Sequence, residues 1–231
     1  LWPEMFTAHL HTADSIRSDT PRSKVDFSGM SQQELGGFLR GVHGGAVLAG
    51  RRLAKKPQFA KAARLADIGG GSGGVAIALC REHPHLQATV FDMPSVVPIA
   101  QEMVAEAGLA DRITVETADI LDQPLPGGFD IATARNLFQV LSADQNQKAA
   151  NNIAAALPSG GTFFLIGHIC DDSRLSPENC VGMNMNFLNM FDDGEAYTET
   201  RYRNWLGEAG FAGINREPFM QSMSLIQASK P

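Results

Sequence analysis

The chain has little cysteine and few of the larger aromatics, with 3 Cys, 2 Trp and 2 Tyr in 231 residues. Cys80, Cys170 and Cys180 lack metal-ligand spacing, so no metal centre is expected, and an odd number cannot all pair internally. A reducing, cytoplasmic setting is the simplest home for such thiols. Basic charge is sparse too. No run of Lys and Arg exceeds Arg51-Arg52 or Lys55-Lys56, and the net charge is −6 with a pI near 5.5. That balance argues against nucleic acid and against an anionic membrane as partners. Long apolar runs are missing as well. Nothing approaches the length of a membrane span, and no signal-peptide pattern opens the chain.

What the chain does have is apolar residues, at 44%, and 23 glycines. The first is enough for one good-sized core with an appended helical segment. Some of the second sit where they carry information. Leu65-Ala66-Asp67-Ile68-Gly69-Gly70-Gly71-Ser72-Gly73-Gly74 reads as an apolar strand, a glycine turn and the start of the helix Gly73–Glu82. Glycines 69, 71 and 73 permit positive φ and close approach of backbone to a ligand. The helix start offers unpaired N–H groups to an anion.

Two patterns fit this run. Gly69-x-Gly71-x-x-Gly74 matches the dinucleotide fingerprint, and Asp67-x-Gly69-x-Gly71-x-Gly73 matches the turn of S-adenosylmethionine (SAM) enzymes. A carboxylate before the first glycine repels a pyrophosphate but suits the amino group and sulfonium of SAM. Asp92, ending the second strand Gln87–Phe91, can accept both ribose hydroxyls in either case. Asp119 tips the choice. It follows the third strand, Ile113–Thr117, and can take an adenine amine while Ile120-Leu121 packs on the ring. Alone it reads as a solvated loop acid; in series with Asp67, the glycines and Asp92 it reads as a nucleoside ligand.

From Arg64 onward strands and helices alternate, which predicts a parallel sheet covered on both faces. Pro94 is expected to open the helix that stops at Gly108. A fourth strand is placed at Phe129–Thr133, a fifth at Thr162–Ile166, and a helix at Thr198–Ala209. Phe211–Arg216 and Met223–Ala228 are separated by only Glu217–Ser222, too little for a parallel crossover, so they should form an antiparallel hairpin. Ser31–Glu34 and Ser142–Gln145 resemble capping boxes. Residues 1–57 read as helices and 58–231 as the nucleotide-binding domain. The glycines at 36, 37, 41, 44 and 45 suggest close packing or a kink in the long helix that carries them.

These motifs resemble the small-molecule O-methyltransferases of secondary metabolism, the group that includes caffeate and hydroxyindole O-methyltransferases. Asp67–Gly73 resembles their SAM loop, Phe91-Asp92-Met93-Pro94 their ribose-binding turn, and Asp119-Ile120-Leu121 their adenine site. Arg135 lies where they carry a cation near the methionine carboxylate. The resemblance implies a Rossmann-like α/β fold, a mostly parallel seven-stranded sheet with an antiparallel last strand. It implies SAM as methyl donor and S-adenosylhomocysteine as product. It further implies a helical dimerisation region ahead of this point, so that residues 1–57 are the remnant of a lid and the homodimer contacts lie in a missing N-terminal part.

The chemistry departs from the family. The position of its histidine base holds Gln139, and the two acids that steer that base fall on Gly167 and Ala196. An amide cannot act as a general base at neutral pH. Three readings stay open. His168 or His43 could serve as a displaced base; the acceptor could need little deprotonation, with positioning supplying the rate; or the scaffold could bind SAM without transferring its methyl, as a cyclase-like enzyme or a binding protein. His168 also reads as a structural strand-end residue, and His43 as a helix residue turned to solvent. The stretch Val181–Phe191, rich in Met and Phe, suits a flat, apolar or aromatic acceptor, with Asn184 and Asn186 as polar contacts.

Overall fold

The computed structural model describes residues 7–27, 29–122, 124–220 and 223–231. Its strands are β1 (Arg64–Ile68), β2 (Gln87–Asp92), β3 (Ile113–Thr117), β4 (Ile131–Arg135), β5 (Thr162–Gly167), β6 (Ala212–Met220) and β7 (Met223–Ser229). Its helices are α1 (Thr12–Ser18), α2 (Gln32–Leu53), α3 (Gly74–Glu82), α4 (Val97–Glu106), α5 (Ala143–Ala156), α6 (Glu178–Met190) and α7 (Glu199–Glu208). The strands form one seven-stranded sheet in the order β3-β2-β1-β4-β5-β7-β6. The first five run parallel; β7 pairs antiparallel with β5, and β6 antiparallel with β7. The chain moves outward through β1, β2 and β3, then crosses back to β4 on the other side of β1. That reversal opens a crevice beyond the carboxyl ends of β1 and β4, where open α/β sheets bind ligands.

Burial explains the arrangement. All six residues of β5 are buried, and its adjacent Phe163 and Phe164 point to opposite faces and join different core clusters. Both faces of the sheet are therefore covered. The outer strand β3 buries only Ile113, and the other edge, β6, is exposed enough to tolerate Pro218. Both capping boxes form: Ser31 with Glu34 starts α2, and Ser142 with Gln145 starts α5. Among the described residues no helix is long and apolar enough to cross a membrane.

Three elements differ from the sequence reading by two residues or more. The fourth strand begins at Ile131, two residues late; just before it the Asp130 carboxylate accepts the Ala63 and Arg64 N–H groups at 2.7 and 2.9 Å, and its own N–H donates to Arg64 O at 2.9 Å. Arg135 is thus the last residue of β4. The helix expected from Pro94 begins at Val97, with Pro98 in its first turn, after a turn closed by Val96 N–H on Met93 O at 2.9 Å. The hairpin is longer than expected, since β6 runs to Met220; Gln221 and Ser222 of its connection lie outside the described residues, as do residues 1–6 of the helical segment.

The glycine-rich α2 runs unbroken from Gln32 to Leu53. Its tight contact is at Gly50, where an added Cβ would lie 2.6 Å from Val75 O and 2.7 Å from Ala78 Cβ of α3. Gly74 reciprocates, since a Cβ there would meet Ala46 Cβ at 2.7 Å. Gly37, Gly41 and Gly44 face open space instead. Two substitutions separate these roles. Gly50→Ala should destabilise the fold by about 1–3 kcal/mol through overpacking, whereas Gly41→Ala should stabilise it by about 0.5–1 kcal/mol. Denaturant titration of the two variants reads both, and equal effects would contradict this packing.

Candidate active site

The turn after β1 is shaped by glycine at three positions. Gly69, Gly71 and Gly73 take φ of 60°, 55° and 66°, a region that side chains disfavour. Gly69 N–H donates to Phe91 O at 2.8 Å, which ties the turn to the end of β2. Gly73 is the N-cap of α3 and has no side chain to cap it. Asp67 supplies the missing cap. Its carboxylate accepts the Ala76 N–H in the first turn of α3 at 3.3 Å, and the Thr133 hydroxyl from β4 at 2.8 Å. Register makes the second contact possible, since Asp67 pairs with Thr133 across β1 and β4.

Asp67 is only 1% exposed, so it acts by holding the turn from behind, and both its oxygens are engaged within the protein. Burial pushes its carboxyl up to about 6, against the pull of Thr133 and Ala76. Asp92, at the tip of the next strand, accepts Gly71 N–H at 2.7 Å and Met93 N–H at 2.8 Å. Burial raises its pKa too, opposed by those two donors. The third acid stays close, because Ala118 N–H donates to Asp92 O at 3.0 Å. Asp119 then accepts Leu121 N–H at 2.8 Å, and Ile120 is buried in the core. Asp67, Asp92 and Asp119 therefore end three adjacent strands along one edge of the sheet. Met93 remains half-exposed beside them.

Arg135 enters this region from β4. Its Nε is buried without a hydrogen-bond partner among the described residues, and an added Cβ at Gly45 of α2 would lie 3.1 Å from its Nη2. Burial lowers its pKa, with Asp67 acting in the opposite sense. Asn136 follows at φ 59°, its Oδ1 also buried and unpartnered among the described residues. Neither Asn136 nor the supporting Thr133 stands out in the sequence. Finding them needs the strand register and a backbone angle that composition does not reveal.

The three candidate catalytic residues separate. Gln139, in the 3₁₀ turn Phe138–Val140, and His168, just past β5, come together: Gln139 Oε1 accepts the His168 backbone N–H at 3.1 Å. An added Cβ at Gly167 would lie 3.3 Å from that same oxygen. The His168 ring is buried, edge-on to Phe187 at 6.2 Å. His43 makes a different contact. α2 carries it to Ser72 of the glycine turn, Nδ1 to Oγ at 2.9 Å, where burial and Arg40 lower its pKa. Ser72 had no role in the sequence reading, yet it is buried under α2.

α6 closes the other side. Phe187 and Phe191 lie 5.9 Å apart, and Met183 packs with them against Cys170, Cys180 and Ala196. Asn184 is not a free polar contact: its Oδ1 accepts Ala196 N–H at 2.6 Å and its amide reaches Cys170 Sγ at 3.8 Å. Asn186 donates to Met183 Sδ at 3.5 Å, and its Oδ1 is buried with no partner among the described residues.

Sheet order, glycine turn and the row of strand-end acids define a class I methyltransferase fold. The chain belongs to the O-methyltransferase domain family, whose model matches residues 21–212. It is 34% identical to 3-hydroxy-5-methyl-1-naphthoate 3-O-methyltransferase of Streptomyces sahachiroi, over 91% of this chain and 62% of that protein. It is 27% identical to L-tyrosine C(3)-methyltransferase of Streptomyces lavendulae, over 80% of this chain and 50% of that one. The apo crystal structure of the S-adenosylmethionine-dependent methyltransferase SibL superposes with a TM-score of 0.81 at 26% identity, covering 100% of this chain and 75% of its own. The chain therefore spans less than two thirds of the curated relatives it matches here.

Asp67 provides a test of the turn. Its folded-state pKa, about 6, exceeds the ordinary 3.8. Its contribution to stability is thus complete below about pH 4 and lost as pH rises through the folded value. Asp67→Asn keeps an oxygen for Ala76 and gives Thr133 an amide donor, while Thr133 can donate to Ala66 O, already 3.4 Å away. The variant should gain on the wild type by up to about 3 kcal/mol between about pH 4 and 7. Thermal unfolding across that range measures it. A difference that does not change with pH would contradict the buried-carboxylate assignment.

Proposed function

We propose that the chain is the SAM-binding domain of a methyltransferase that methylates a small aromatic acceptor without a histidine general base. Residues 58–231 are the nucleoside-binding domain in this reading, and residues 1–57 a helical lid, with α2 lying over the glycine turn. The observation that carries the proposal is the hydrogen bond from Gly71 to Asp92, 2.7 Å, which sets the glycine turn against the tip of β2. It supports reading Asp92 as the acid for a ribose, beside a turn that a nucleoside can approach closely.

The residues present fit the methyl donor. Asp92 and Met93 would hold the ribose, Asp119 and Ile120 the adenine, and Arg135 the methionine carboxylate. Its buried Nε, without a hydrogen-bond partner among the described residues, supports that assignment. The donor supplies an electrophilic methyl on a cationic sulfur. The protein's own task is to position the acceptor and exclude water, which can account for much of the acceleration of an in-line displacement. His168 is the candidate for steering the acceptor, whereas the Ser72 contact of His43 favours a role in holding the turn.

An aromatic acceptor is supported by Phe187, Phe191 and Met183 beside Gln139 and His168. Two of the relatives are named for an oxygen acceptor on a hydroxynaphthoate and for a carbon of tyrosine, so oxygen and carbon both lie within the reading. The absence of ionisable groups at Gln139, Gly167 and Ala196 keeps a second reading in view, SAM binding without methyl transfer.

Calorimetry with S-adenosylhomocysteine tests the cofactor site. Asp92→Ala should lose at least about tenfold in affinity, since charge-assisted hydrogen bonds are worth about 1.5–3 kcal/mol; unchanged affinity would reject the assignment. Product mass tests the reaction. A gain of one methyl with release of S-adenosylhomocysteine is expected, and an unmethylated product would favour the second reading.

A further inference from the structure

Between the ends of β4 and β5 the chain presents one buried polar group whose orientation is set by its partner. Gln139 is 6% exposed. Its Oε1 takes the His168 N–H at 3.1 Å. A backbone N–H only donates, so the oxygen faces β5 and the amide nitrogen turns away from it. Among the described residues nothing accepts a hydrogen bond from that Nε2. The backbone is clamped as well. Glu195 N–H donates to Gln139 O at 3.0 Å, and an added Cβ at Gly194 would lie 2.8 Å from that carbonyl.

The surroundings carry little free charge. Past β5 are His168 and Cys170. On the facing loop Glu195 is paired with Arg174 at 2.7 Å, and the Tyr197 hydroxyl donates toward Leu141 O and Asp193 O at 2.8 and 2.9 Å. Gly167 and Ala196 add no charge. A fixed donor in such a place can give a proton-bearing hydrogen bond but can never take a proton away. Donors bind an ionised oxygen about twice as strongly as a neutral one.

The geometry points to Gln139 Nε2 as a specificity-determining contact that selects acidic phenols arriving already ionised, the ring resting on Phe187 and Phe191. This inference rests on the methyltransferase reading above. The acceptor gives its proton to water, not to the protein. Its oxygen then forms the new bond to the donor methyl carbon as the carbon–sulfur bond breaks, the electron pair of that bond staying on sulfur. No protein base is needed, which accounts for an amide at this position.

The ionisation state of a bound phenol reads the proposal directly. 4-Nitrophenol absorbs in the visible only as its anion. With the full chain saturated by S-adenosylhomocysteine, the bound probe should show about tenfold more anion relative to acid than the free probe at the same pH, an apparent shift of about one pKa unit. Gln139→Glu keeps an oxygen for the His168 N–H but replaces the donor by a carboxylate, and should cut the anion-to-acid ratio by at least about tenfold relative to wild type. Gln139→Met, which removes the donor without adding charge, should return the ratio to that of the free probe. The inference is overturned if wild type leaves the probe's ionisation unchanged, if both variants match wild type, or if the probe does not bind. Calorimetry on the same samples tells the two failures apart. Intact S-adenosylhomocysteine binding confines the failure to Gln139, whereas its loss in wild type overturns the cofactor reading as well.

Discussion

The site depends on one buried carboxylate. Asp67 stands at the tip of β1 and joins three things that would otherwise be separate: β4 through Thr133, the uncapped start of α3 through Ala76, and the glycine turn between them. An added Cβ at Gly70 would lie 3.0 Å from Asp67 Oδ2 and 2.7 Å from Val90 Cγ1. The backbone is therefore drawn down onto the acid. Holding a carboxylate in that place costs stability as it ionises, which is the sense of its raised pKa. A protein that retains such a cost at a strand tip has a use for the geometry it maintains.

The next layer is built on that turn. Gly71 gives its N–H to Asp92, and the backbone of Asp92 in turn anchors the segment leading to Asp119. α2 lies over the result. A Cβ at Gly71 would approach Leu39 to 3.3 Å, His43 meets Ser72, and Gly50 lets the two helices touch. α2 and the turn thus share contacts, and a change in one is felt by the other. On the far side Gln139 joins β4 and β5 through the His168 N–H, under a wall of aromatic and thioether side chains. The groups sort along the sheet: β1, β2 and β3 lead to the acids, whereas β4 and β5 lead to Arg135, Gln139 and His168.

Much of this was legible in the sequence, because the signals were local. The glycine turn, the strand-tip acids, both capping boxes and the antiparallel hairpin are patterns of a few adjacent residues. What was not legible depends on register or on contacts distant in sequence. Thr133 matters only because β4 pairs with β1 in the register that sets it opposite Asp67. The Asp130 carboxylate holds the Ala63 and Arg64 N–H groups at the start of β1, a contact distant in sequence. The glycines of α2 are a related case. Periodicity places them on a helix, but only the packing partner reveals that Gly50 is in contact while Gly41 faces open space. Asn184 was read as a polar contact for the acceptor, and its distant partner, the Ala196 N–H on its Oδ1, was not legible. Asp67 was read as a cofactor-binding residue, and the structure shows it buried with its carboxylate on Thr133 and Ala76.

A crystal structure with S-adenosylhomocysteine tests the central claim most directly. The account predicts the ribose on Asp92, the adenine between Asp119 and Ile120, the amino-acid end toward Arg135, and Asp67 still holding Thr133 and Ala76 behind the turn. Density for the nucleoside anywhere other than above Gly69–Gly73, or a turn that abandons Asp67 to admit it, would contradict the account.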